Sequence, residues 1–299
     1  SKAIDTFIAN HSDSQVICED MTKITLNEIS SKINTLDVDV VVGGPPCQGF
    51  SMAGKRKPND PRNSLFKEYL RIVSKIRPKI FVMENVRGLL SMKNEAGERV
   101  IDIILKEFRK LEGYTVNYYS VNVADFGVPQ KRKRIFIVGV NNKYSFSFPE
   151  PTYSRESDKK GFKKWKGIRK LLLNQSKVNK KYFYSNKLIR GFERREIQNR
   201  KRGFGFGWQF NNLDDPSYTI SARYWKDGAE SLIKYDEKVI RRLTPEECAR
   251  VQSFPEKYIF KGSERDRYVQ IGNAVPPLMA QRIAKSIKTA LSSDFNGKH

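Results

Sequence analysis

Three cysteines and two histidines are all that the 299 residues hold. Cys18, Cys47 and Cys248 show no paired spacing, so neither a disulfide framework nor a zinc site is expected. Long hydrophobic runs are missing too: "VDVVVGG" and "IFIVGV" fall far short of the roughly 20 apolar residues that a membrane span needs. No charged-then-apolar leader opens the sequence, so a reducing, cytoplasmic setting without export is expected. Acidic residues are the remaining shortage. Against 33 Asp and Glu stand 56 Lys and Arg, a net charge of +23, and a polyanion is the expected partner.

The charge is concentrated: residues Ser154 to Arg202 hold 18 Lys and Arg but 4 Asp and Glu. Trp165, Tyr182, Phe183 and Tyr184 are interleaved, as a phosphate-neutralising and base-stacking surface requires. Upstream, to about Val140, short branched runs alternate with amphipathic stretches. "QVICED", "VDVVVGG", "KIFVMENV", "TVNYYSVNV" and "RIFIVGV" read as strands. Leu65, Phe66, Tyr69, Leu70, Val73 and Ile76 share one helix face, and Val100, Ile101, Ile104, Leu105 and Phe108 another. This alternation predicts an α/β fold with a parallel, doubly wound sheet. From about Asn141 to Tyr235 the periodicity fades into a smaller, irregular, basic module. Helix signals return at "TPEECARVQSF", where Thr244, Pro245 and Glu247 compose a capping box, and at "PPLMAQRIAKSIKTAL".

Ligands of a doubly wound sheet sit beyond the carboxyl ends of its strands. Cys47 lies there, in "GGPPCQGFS" after the second predicted strand, with Pro45 and Pro46 fixing the backbone. A small buried thiol and a nucleophile activated by neighbouring charge both fit that position. Cys18 and Cys248 read as strand and helix core. Glu84 and Asn85 end a second strand, and Arg132 and Arg134 precede another. Thiol, carboxyl and guanidinium therefore come from one sheet edge.

"GGPPCQGFS", "MENV", "QKRKR", "RRLTPEECARVQSFP" and "QIGNAVPP" occur in this order over residues 1 to 290, and with them the chain resembles the DNA (cytosine-5)-methyltransferases. The resemblance implies a Rossmann-like catalytic domain over 1–150, a target-recognition domain over 151–238 and a return to the catalytic domain over 239–299. It implies catalysis by Cys47, Glu84, Arg132 and Arg134 on a flipped cytosine in double-stranded DNA, with S-adenosylmethionine as cofactor. Asp20, Met21, Pro46, Leu65, Asn273 and Ala274 would line the cofactor site, and Gln48, Ser51, Arg223, Tyr224 and Lys226 would meet DNA. A nucleoid-associated modification enzyme paired with a restriction endonuclease is the implied setting.

Family members open with a strand and a Gly-rich loop, which this sequence does not show; "GFGFG" at 203–207 lacks the βαβ context to replace it. A second polypeptide supplying that segment is one expectation, a truncated chain another, and poor methylation by the chain alone follows from both. "SYTISARYWKDGAESLI" is similar to a segment of members that methylate CCGG or CCWGG, which implies a CC…GG site. Arg223 and Lys226 would there reach guanine edges or grip phosphates. A non-catalytic DNA-binding protein and an RNA cytosine methyltransferase are the competing classes.

Overall fold

A computed structural model describes residues 1–33, 37–46, 65–94, 96–156, 160–203, 208–226, 228–236 and 239–292. Cys47, Gln48, Ser51 and residues 204–207 of the glycine-rich run lie outside them. In chain order the elements are α1 (Lys2–Asn10), α2 (Leu26–Ile33), β1 (Val40–Gly43), α3 (Leu65–Ile76), β2 (Ile80–Val86), α4 (Val100–Arg109), β3 (Tyr114–Asn122) and β4 (Lys133–Asn141). They continue as β5 (Tyr153–Ser154), β6 (Lys163–Lys164), α5 (Asn186–Lys201), β7 (Leu232–Lys234), β8 (Ile240–Arg242), α6 (Pro245–Val251), α7 (Glu264–Asn273) and α8 (Pro277–Ser292). The chain divides into two compact units. A sheet unit comprises Gln15–Val121, Lys133–Pro149 and Arg282–His299, and a basic unit comprises Ser1–Ser14, Asn122–Arg132 and Glu150–Gln281.

In the sheet unit the strand order is β1-β2-β4-β3. Ile80, Phe81, Val82 and Met83 of β2 and residues 135–140 of β4 are buried, as continuous apolar runs demand of central strands. Phe66, Tyr69 and Val73 of α3 join Val100, Ile101, Ile104, Leu105 and Phe108 of α4 in one core with Phe81, Met83, Ile135 and Ile137. Both helix faces are those the periodicity predicts. The Tyr69 hydroxyl lies 3.0 Å from the carbonyls of both Val41 and Val82, bridging β1 and β2. A Cβ on Gly43 would stand 2.6 Å from that ring, so glycine is required where β1 ends.

Two expectations change. The sheet is mixed rather than parallel: β1 runs parallel to β2, but β4 is antiparallel to it. Only residues 123–132 separate β3 from β4, and they form a short 3₁₀ turn at Val123–Phe126 instead of the crossover helix that a parallel neighbour needs. "QVICED" forms no strand, because no ladder partner stands beside it among the described residues, and Cys18 is exposed rather than core.

The basic unit has its own core of Ile168, Ile220, Tyr224, Ile233, Leu243, Cys248, Val251, Tyr268 and Ile271. Helix α6 begins with the predicted capping box. Thr244 Oγ1 accepts from Glu247 N at 3.2 Å, and Glu247 Oε2 accepts from Thr244 N at 2.8 Å. Glu247 also forms a fully buried ion pair with Arg241, at 2.7 and 2.9 Å. Cys248 is core as expected, and burial pushes its thiol well above its ordinary pKa. Thr244→Ala is expected to lower stability by about 1 kcal/mol, read as a shift in the urea midpoint at unchanged slope.

Helix α1 does not bury its apolar face, that of Ala3, Ile4, Phe7 and Ile8. Of Ala3, Ile4, Phe7 and Ile8, the last two are 42% and 50% exposed. Thr6 and Asn10 turn inward instead. Thr6 Oγ1 accepts from Lys261 N, and Asn10 exchanges hydrogen bonds with the backbone of Ile259 at 2.8 and 2.9 Å. Polar side chains satisfying an extended backbone decide this orientation, which apolar periodicity does not record.

Candidate functional site

The carboxyl end of β2 carries Glu84 and Asn85. Antiparallel register pairs Glu84 with Phe136 and Val86 with Arg134, so Glu84 and Arg134 are diagonal neighbours on one face. Arg134 Nε meets Glu84 Oε1 at 2.9 Å, with the two side chains 13% and 18% exposed. Arg134 Nη1 donates to the Lys133 carbonyl. Burial pulls the Arg134 guanidinium below its ordinary pKa while Glu84 raises it again, and an arginine so placed stays cationic at neutral pH.

Asn85 does a separate task. Its Nδ2 donates to the buried Pro45 carbonyl at 3.0 Å, while its Oδ1 accepts from Val86 N at 2.9 Å. This amide fixes the loop after β1 two residues before Cys47. The same loop passes Glu84 closely: a Cβ on Gly44 would lie 3.5 Å from Glu84 Oε2. Glu84, Arg134 and the root of the Cys47 loop are thus brought together at one sheet edge.

Arg132, expected in the catalytic group, is held in the basic unit and is buried. Its Nη1 donates to the Ile220 carbonyl at 2.9 Å, and its Nη2 to those of Gly272 and Ala274 at 2.8 and 3.1 Å. Two glutamines that the sequence reading did not single out complete this joint. Gln130 Nε2 donates to Gln252 Oε1, Gln130 Oε1 accepts from Ile220 N, and Gln252 Nε2 donates to the Ile271 and Ala274 carbonyls. The joint ties three quoted motifs, "QKRKR", "RVQSFP" and "QIGNAVPP", through hydrogen bonds at every side-chain nitrogen and oxygen of two buried amides. Through these three carbonyls Arg132 positions the segments that carry Ile220, Gly272 and Ala274.

Asp20, Met21 and Leu65 belong to the sheet unit. Thr22 donates its backbone N–H and hydroxyl to Asp20 Oδ1 at 2.9 and 2.8 Å, which holds the carboxyl below the usual range. Arg71 of α3 donates to the carbonyls of Met21 and Ile24, docking this turn beside the helix that Leu65 begins. Asp20 therefore presents an exposed, ionised carboxylate next to Met21. Pro46 is exposed, Asn273 is exposed and Ala274 is half-buried in the basic unit. No cluster of His, Cys, Asp and Glu able to hold a metal occurs among the described residues.

On the turn at 221–226, Arg223 and Lys226 are exposed. Tyr224, expected to meet DNA, is 0% exposed. Its hydroxyl donates to the Ser231 carbonyl at 2.6 Å and accepts from Leu243 N at 2.9 Å. The ring is a core peg beneath the two cations, because its apolar body gains more from burial than from solvent contact.

The C-5 cytosine-specific DNA methylase family matches residues 1–289. The chain is 39% identical to the Type II methyltransferase M1.ScrFI of Lactococcus lactis subsp. cremoris over 97% of this chain and 70% of that protein. It is 38% identical to M1.HphI of Haemophilus parahaemolyticus, over 95% and 77%. Among solved structures, the Entamoeba histolytica methyltransferase EhMeth superposes with TM-score 0.72 at 19% identity, covering 97% of this chain and 88% of that one. A putative prophage DNA modification methyltransferase of E. coli gives 0.71 at 21%, over 98% and 91%.

Proposed function

The chain belongs to the C-5 cytosine-specific DNA methylase family, and on that premise we propose that it methylates a flipped cytosine in duplex DNA through a covalent Cys47 adduct. It is a DNA cytosine-5 methyltransferase of the restriction-modification type. S-adenosylmethionine supplies the electrophilic methyl group when bound. The observation that carries the reading is the Glu84–Arg134 pair beside a loop that Asn85 fixes just ahead of Cys47.

The Cys47 thiolate adds to C6, forming a C–S bond, while Glu84 protonates N3, so that electron density collects at C5. Arg134 holds Glu84 and contacts the cytosine O2. After C5 is methylated its proton leaves to a base, the C–S bond breaks, and the N3 proton returns. Asp20, Met21, Pro46 and Leu65 of the sheet unit would hold the cofactor. Extruding the base costs a few kcal/mol, which phosphate contacts from the basic module offset.

Duplex DNA carrying 5-fluorocytosine at the target tests the chemistry, because its C5 has no proton to lose. A covalent complex that needs both cofactor and Cys47 is expected, and Cys47→Ser should abolish it; a DNA-binding protein without catalysis would give none. RNA that competes better than duplex DNA would move the substrate to RNA. The target is a site beginning with CC and ending with GG, read by Arg223 and Lys226, whose exposure supports this role. Bisulfite sequencing of modified DNA checks it, and methylation only at sites outside that frame would refute it.

Val42 of β1 is 70% exposed, and β1 has no strand partner on its other edge among the described residues. That open edge supports a further strand joining the sheet there, and a second polypeptide carrying a Gly-rich loop is one source of it. Adding such a segment should raise the methylation rate, and a cognate restriction endonuclease should cleave the same site unmethylated.

A further inference from the structure

We infer that the outer face of α5 is a grip for the DNA backbone, separate from the base-reading turn. Helix α5 is built to stand on the protein surface. Ser185 caps it by accepting from Leu188 N, and Gly203, at φ +72°, follows its end. Ile189 anchors its inner face in a cluster with Leu232 and Ile240, and Phe192 packs on Trp208 with ring centroids 5.6 Å apart. Glu196 also turns inward, to the Trp208 indole at 2.8 Å and Arg200 at 2.6 Å.

Opposite that face, Lys187, Arg190, Arg194 and Lys201 recur at helical spacing, and all four are exposed. None has an ion-pair partner among the described residues. Glu193 flanks the stripe without pairing with it. At 1.5 Å per residue the four cations span about 21 Å, matching a run of several phosphates along one strand. A mixed-charge protein partner would ask for interspersed carboxylates; a row of four cations broken only by the neutral Gln198 suits a regular polyanion. Ile197, 56% exposed, borders the stripe, but the four cations dominate it, so the contact carries charge rather than sequence information.

The inference rests on the duplex-DNA reading above, and the test separates the two. Binding of fluorescent duplexes to the full chain is measured by anisotropy from 50 to 200 mM salt. Arg190→Gln with Arg194→Gln should lower the slope of log K against log salt by about 1.8, so that the affinity ratio between those salts shrinks by roughly 12-fold. The loss should be equal on cognate and scrambled duplexes. Lys187→Gln with Lys201→Gln, at the helix ends, should act alike and serves if the first pair fails to fold. An unchanged slope in both double variants, while the wild type binds duplex normally, overturns the α5 grip and leaves the enzyme reading standing. A loss confined to the cognate duplex also overturns it, since that marks base reading. Failure of the wild type to bind any duplex removes both.

Discussion

Glu84→Gln is expected to cut kcat by roughly 10²- to 10⁴-fold, the range lost with a positioned proton donor, while KM for DNA changes little. The amide keeps the shape of the carboxyl and still accepts from Arg134 Nε, whose 2.9 Å contact sets the pair. Asn85 and its hold on Pro45 are untouched. What is lost is the transferable proton for N3, so the effect belongs to the transition state and appears in kcat. Arg134→Ala should slow the reaction by a different route. It leaves Glu84, 18% exposed, without its counter-charge, and the vacated space loosens the carboxyl's orientation. Steady-state kinetics on a duplex substrate, with thermal melting as a fold control, decides between these accounts. Wild-type kcat in Glu84→Gln would remove Glu84 from the chemistry and leave the ion pair as architecture.

The pair is legible in the sequence, because "MENV" ends and "QKRKR" begins a strongly apolar strand. Periodicity records burial, and it therefore places β1 to β4, α3 and α4, whose stability comes from burying one face. The cap of α6 was legible for a local reason: Thr244, Pro245 and Glu247 satisfy orphan amides within one turn. Strand direction was not, since nothing in "RIFIVGV" distinguishes an antiparallel β4 from a parallel one. Helix α5 escaped because only Ile189 and Phe192 of its sixteen residues are buried; Ser185 and Gly203 were the available signals. Tyr224 looked like a DNA contact by its neighbours Arg223 and Lys226, yet its ring packs against Tyr268, with centroids 5.6 Å apart. The Gln130–Gln252 bond joins residues 122 apart, a pairing that no local pattern encodes.

That bond belongs to the joint where the largest stability effect is expected. Arg132→Met should destabilise the basic unit by roughly 3–5 kcal/mol. Two carbonyls, those of Ile220 and Gly272, lose their guanidinium donor in a buried place, at about 1–3 kcal/mol each. The Ala274 carbonyl keeps Gln252 Nε2 at 3.2 Å and suffers less. Arg132→Lys should recover only part, because a single ammonium cannot reach what a planar fork spans. Gly272→Ala attacks the same joint by overlap: its Cβ would stand 2.4 Å from the Ser221 and Ala222 backbone, which cannot yield as a side-chain tip does. The two lesions share one contact surface, so combining them should cost less than their sum. Urea unfolding of the full chain measures the single and combined variants, and an Arg132→Met midpoint equal to wild type would show that the joint bears no load. Ser221 begins the turn that presents Arg223 and Lys226. Partial loosening in Arg132→Lys should therefore relax discrimination between cognate and mismatched duplexes before it reduces total DNA binding, because the α5 stripe grips phosphates on another element of the same unit.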